Sequence, residues 1–108
     1  MRFCPIEAVS LDANGRLLVK PEVREGQTYS LIYRVANGLR WDPREKAVVA
    51  AEPQRWDHCE LLAHIVKTFA AEFDETLQVT SSTRWINMSR EQEHDFRSVI
   101  QGCAKYDV

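Results

Sequence analysis

The chain has 108 residues, 44% hydrophobic, 28% charged and 9% aromatic, and a net charge of -2. That length suits one domain, residues 1–108, and is too short for the roughly 250 residues of a barrel of alternating strands and helices. The composition is globular, and the near balance of charge lacks the field that draws basic domains to nucleic acid or anionic lipid.

Asn14-Gly15 lies between the apolar runs Ile6 to Leu11 and Leu17 to Val19, which predicts a β-hairpin with positive φ at both central residues. Pro21 lacks a ladder donor and ends the second strand, and Glu25-Gly26 marks a loop. Thr28 to Ala36 alternates, with Tyr29, Leu31, Tyr33 and Val35 on one face and Ser30, Ile32 and Arg34 on the other, so a strand is expected. Asn37-Gly38 signals a second hairpin leading into Leu39-Arg40-Trp41, in which Arg34 would face Trp41 as a cross-strand cation–π pair. Asp42-Pro43-Arg44-Glu45 reads as a type I turn, and Lys46 to Ala51 as the next strand.

Asp57 as cap, Glu60 three residues on, and Trp56 placed to staple onto Leu61 predict a helix start. Its apolar stripe is Leu62, Ile65, Val66, Phe69 and Phe73, with His64, Lys67 and Thr68 on or beside the opposite face. Leu77 to Thr80 and Arg84 to Met88 read as one or two strands. Ser89 with Gln92 then opens a second helix with the stripe Phe96, Val99, Ile100 and Cys103. The expected fold class is α+β: a mainly antiparallel meander of about five or six strands packed on two helices as a two-layer sandwich.

The four glycines stand alone at 15, 26, 38 and 102, so no phosphate-cradling loop is present, and there is no nucleophile-elbow serine and no helical metalloprotease histidine pair. His58, Cys59, Glu60 and His64 contain the side chains of zinc sites and thiol nucleophiles, but the two histidines fall about 120° apart around a helix. Cys59 near the helix N-terminus is expected to have a lowered pKa. Glu91, His94 and Asp95 hold one Glu-x-x-His pair where a di-iron site needs two. No metal site and no cofactor is expected. Each tryptophan follows an arginine, at 40-41, 55-56 and 84-85, and strand geometry turns Arg40 from Trp41 and Arg84 from Trp85, indole inward and guanidinium outward.

Charge is uneven: residues 24–55 are basic, whereas Asp57, Glu60, Glu72, Asp74 and Glu75 form an acidic segment. Cys4, Cys59 and Cys103 lack both zinc spacing and an even count, which suggests reduced thiols, and no apolar run resembles a signal peptide or a membrane span, so the expected location is cytoplasmic. The run Leu31-Ile32-Tyr33-Arg34, then Ala36-Asn37-Gly38-Leu39-Arg40-Trp41-Asp42, then Ala51-Glu52-Pro53 and Arg55-Trp56, resembles small uncharacterised bacterial proteins carried as mobile integron gene cassettes. The resemblance spans mainly residues 28–70 and implies a compact α+β protein that self-associates; it contributes no catalytic residue.

Three functional expectations follow. The first is a noncatalytic binding or adaptor module, a homodimer, because the edge of a meander must be paired or covered. The second is a small-ligand protein or small enzyme with a pocket between the sheet and the first helix, using Tyr33, Arg34, Trp41, His58 and Cys59. The third is an immunity-like protein that meets a partner through Asp57, Glu60, Glu72, Asp74 and Glu75.

Overall fold

The ten-residue strand β1 (Arg2–Leu11) supplies the axis of the sheet, because it pairs on both sides along its length. The structure, a computed structural model, describes residues 2–22, 29, 32, 38–51 and 56–106. On one side β1 pairs antiparallel with β2 (Leu17–Pro21); β2 pairs antiparallel with β4 (Ala47–Ala50), and β4 with β3 (Leu39–Asp42). Along its other side β1 pairs in parallel with β5 (Glu75–Gln78) and then β6 (Arg84–Ile86). Among the described residues the six-stranded sheet is therefore mixed, antiparallel in three pairings and parallel in two. With two helices on it among the described residues, the fold is α+β.

A bulge at Glu7 explains how so long a strand keeps one buried face. Ile6 pairs with Pro21 and Ala8 with Lys20, so Glu7 is extra and the alternation changes phase: Cys4 and Ile6 face the core before it, Val9 and Leu11 after it. The opposite edge adapts too. Between β5 and β6 the chain loops out, and the Thr83 hydroxyl donates to the Ile6 carbonyl at 2.7 Å, satisfying the acceptor left by the interrupted ladder.

The first hairpin forms where expected but not as a two-residue turn. Asp12 and Arg16 close a three-residue loop, Gly15 N–H donates to the Asp12 carbonyl at 2.9 Å, and Gly15 alone takes positive φ, +77°. Asp12 decides this, since its carboxylate accepts from the backbone N–H of Asn14 and of Arg16, favouring a type I turn followed by a left-handed glycine. The β3–β4 turn uses Asp42 in the same way, accepting from Arg44 and Glu45 N–H.

The expected strand over 28–36 lies mostly outside the described residues, but its two described members argue against it. Ile32 is helical, its N–H donates to the Tyr29 carbonyl at 3.0 Å, and both side chains are buried although a strand would turn them to opposite faces. An i to i+3 backbone bond wins over the alternation.

Helix α1 (His58–Glu72) starts at Asp57, whose carboxylate accepts from Glu60 N–H at 2.8 Å. Helix α2 (Arg90–Tyr106) starts with a capping box, Gln92 N–H to Ser89 Oγ and Ser89 N–H to Gln92 Oε1. The expected stripes enter one core, where Leu62, Ile65, Val66, Phe69, Phe96, Ile100 and Cys103 meet Ile6, Val9, Val19, Val48 and Leu77. Thr68 is buried as well, contrary to its expected place, because α1 packs against α2 as well as the sheet and so buries a wider arc. On the other sheet face Leu18, Ala47 and Val49 make a second, smaller cluster.

Candidate functional site: a cleft between a hairpin turn and a helix start

The β1–β2 turn reaches the first turn of α1, and the two leave a cleft of about 610 Å³. Its floor is apolar, from Leu17, Ala50 and Leu61; its rim carries Asp12, Asn14 and Arg16 on one side and Trp56 and His58 on the other. The volume falls within the roughly 300–1,000 Å³ usual for small-molecule sites.

Arg16 is held on two sides. Its Nε lies 3.0 Å from Asp12 Oδ2 and its Nη2 3.6 Å from Asp42 Oδ2. Both carboxyls titrate below their ordinary range: Asp12 chiefly through the Arg16 backbone N–H, Asp42 chiefly through that of Glu45, with the Arg16 guanidinium adding to each. The Arg16 guanidinium is thus already paired with carboxylates, which reduces its attraction for an anion.

His58 ties the two elements together. Its Nε2 is 2.8 Å from the Gly15 carbonyl oxygen, which can only accept, so Nε2 carries a proton and donates it. Its ring also meets Phe96 edge-on at 6.0 Å. Trp56 stacks on His64 with centroids 5.0 Å apart, which places His64 against an indole rather than on an open polar face. Trp56, expected as a staple onto Leu61, lines the cleft together with that residue. Gly38, at φ +87°, lies so close to the indole that a methyl group there would collide with it.

Of the residues singled out from sequence, His58 lines this cleft. Trp41 does not; it is half-buried against Tyr29, 5.7 Å between rings. Cys59, one residue beyond His58, is half-buried outside the cleft lining, and its thiol is pushed up, not down: burial comes first, then the charges of Asp57 and Asp95. Those carboxylates and desolvation outweigh the helix N-terminus. Tyr33 and Arg34, and with Arg34 the proposed pair to Trp41, lie outside the described residues. A cation–π contact does occur at Trp85, from Arg97 of α2 at 5.2 Å, while the neighbouring Arg84 turns outward to Glu7. Asp12, Arg16 and Trp56 were not among the expected site residues; the Asp-x-Asn-Gly turn signature was the available signal for the first.

The acidic segment divides. Asp57 and Glu60 are exposed at the start of α1, and Asp74 is exposed beyond Glu72 at its end, about 22 Å away along a 15-residue helix. Glu75 is only 4% exposed and cannot meet a partner at the surface. Among the described residues, no group of three or more His, Cys, Asp and Glu side chains is placed to hold a metal ion, and no helix is long and apolar enough to cross a membrane.

No protein-family model matches the chain, and no curated protein matches it. The chain is similar to a solved structure described as coming from the mobile metagenome of the North West Arm sewage outfall, integron cassette protein Hfx_Cass5. Identity is 24%, coverage is 94% of this chain and 98% of that one, and the TM-score is 0.43. That protein is of the cassette kind that residues 28–70 resemble.

Proposed function

We propose that the protein is a noncatalytic accessory module that binds a small molecule in the cleft between the β1–β2 turn and the start of α1. The observation that supports this reading is the cleft itself, an apolar floor ringed by Asn14, Arg16, Trp56 and His58. Its ionisable groups are engaged with one another, Arg16 with Asp12 and Asp42 and His58 with the Gly15 carbonyl, which suits holding a ligand better than moving protons. The three cysteines, an odd number at wide spacing, favour a reducing, cytoplasmic setting.

A thermal-shift panel of metabolites tests the reading. A ligand at about 100 times its dissociation constant adds about 2.7 kcal/mol, on the order of 10 °C for a domain this size. A rise abolished by Trp56→Ala supports the cleft, and a rise unaffected by it moves the site elsewhere.

Self-association is a second reading, supported by a different place. The described sheet path ends at β5, beside Phe3, which is 62% exposed and borders a shallow groove with Leu77, Val79 and Ile100. Light scattering behind a sizing column at micromolar concentration tests it: twice 12.5 kDa is expected, and 12.5 kDa alone overturns it.

A further inference from the structure

We infer that the cleft takes a neutral polyhydroxylated ring, a monosaccharide unit, an assignment that rests on the small-ligand reading above. The charge balance comes first. An anion site needs a cation with attraction to spare, whereas Arg16 already faces Asp12 at 3.0 Å and Asp42 at 3.6 Å, so its charge is shared with carboxylates before a phosphate or carboxylate enters. A cation in turn finds both carboxylates occupied by Arg16.

The hydrogen-bonding inventory comes second. Arg16 offers N–H donors beyond the two pointed at Asp12 and Asp42; the exposed Asn14 side chain carries both a donor and an acceptor; His58 uses Nε2 on Gly15, which leaves its second ring nitrogen for a ligand hydroxyl. Donors and acceptors interleaved on one rim fit hydroxyl groups, each of which both donates and accepts. Below them, Leu17, Ala50 and Leu61 give an apolar floor for the C–H face of a ring. Arg16 is also immobilised before any ligand arrives, which lowers the ordering cost of binding.

The test is a titration of ¹⁵N-labelled protein, followed by NMR, with glucose, galactose and mannose, and in parallel with glucosamine as the cationic and glucuronate as the anionic counterpart. The expected result is a saturable shift of the Gly15, Arg16, Leu17 and Ala50 amides by at least one neutral sugar. Its charged counterparts should bind at least tenfold more weakly. Asn14→Ala, an exposed change that leaves the turn's backbone bonds to Asp12 in place, should weaken binding about five- to tenfold. A charged sugar binding tighter than every neutral one overturns the assignment, as does the absence of any saturable shift at tens of millimolar. Aromatic fragments titrated on the same sample separate the two readings: if they move these amides and sugars do not, the sugar assignment fails and the cleft reading stands. If neither moves them, both fail.

Discussion

The Tyr29 hydroxyl lies 2.9 and 3.2 Å from the two carboxylate oxygens of Glu75, inside a core where the same hydroxyl is 3.7 Å from Cys4 Sγ. The rings of Trp41, Phe69 and Phe73 surround Tyr29, and Glu75 is almost wholly buried. A buried carboxylate without a donor is costly, so this one bond joins a residue of the 28–36 segment to the first residue of β5.

Tyr29→Phe should therefore destabilise the protein by about 1–3 kcal/mol, since it removes the donor and leaves the acceptor buried. Urea unfolding measures this, and the double variant Tyr29→Phe with Glu75→Gln should cost less than the sum of the two single changes. Equal additivity would mean that the two groups do not interact.

The same tyrosine predicts an alkaline limit. Burial, and then Cys4 and Glu75, raise its pKa far above the ordinary 10.0. A raised folded pKa gives stability that is complete below the unfolded value and falls as pH rises beyond it. Unfolding should set in above about pH 10, and tyrosinate absorbance should reach the value for all three tyrosines only as structure is lost; ionisation of all three with the fold intact would contradict it.

At the start of α1, Asp57 titrates below its ordinary 3.8, held down chiefly by the Glu60 backbone N–H. Its capping contribution is present above that value and lost as pH falls through the lower folded pKa. Asp57→Ala should lower the melting midpoint by a few degrees at neutral pH, and the gap to the parent protein should close under strong acid. A gap independent of pH would assign the loss to packing rather than to the cap.

Cys59 should be a slow thiol. Its pKa is raised from 9.0 by burial, Asp57 and Asp95. Iodoacetamide at pH 7.5 should label it more slowly than a free thiol of ordinary pKa, and Asp95→Asn should speed the reaction. Mass spectrometry of the labelled peptide reads both rates.

Gly38 and Gly15 separate backbone strain from contact. Both have positive φ, but an added methyl at 15 meets nothing within 4 Å, whereas at 38 it meets Trp56. Each change to alanine should cost about 1 kcal/mol or more from conformation alone, and Gly38→Ala distinctly more than Gly15→Ala. Equal losses in chemical denaturation would show that Trp56 yields freely.

What was legible in the chain was local. Asp57 with Glu60, and Ser89 with Gln92, start helices through bonds spanning three residues, and the stripes from Leu62 to Phe69 and from Phe96 to Cys103 follow helical period without help from the rest of the molecule. What depended on distant partners was not legible. The phase change at Glu7 is set by pairing with β2, and the parallel pairing of β1 with β5 and β6 joins segments more than seventy residues apart. The segment around Tyr29 alternates in hydrophobicity, yet Tyr29 and Ile32 follow a helical bond, because tertiary packing on Phe69 and Glu75 outweighs a weak local pattern. For the cleft, His58 was among the expected residues, while Arg16, Trp56 and Asp12 come together only once the hairpin meets the helix. Trp41 and Cys59 carry suitable chemistry, but their strand and helix positions leave them outside the cleft lining.

The most direct test of small-molecule binding in the cleft is a fragment screen by ¹H–¹⁵N NMR, run on the parent protein and on Trp56→Ala. Hits should converge on Gly15, Arg16, Leu17, Ala50 and the Trp56 indole N–H, and the variant should lose them. Hits scattered over the surface, or gathered at the Phe3 groove instead, would contradict it.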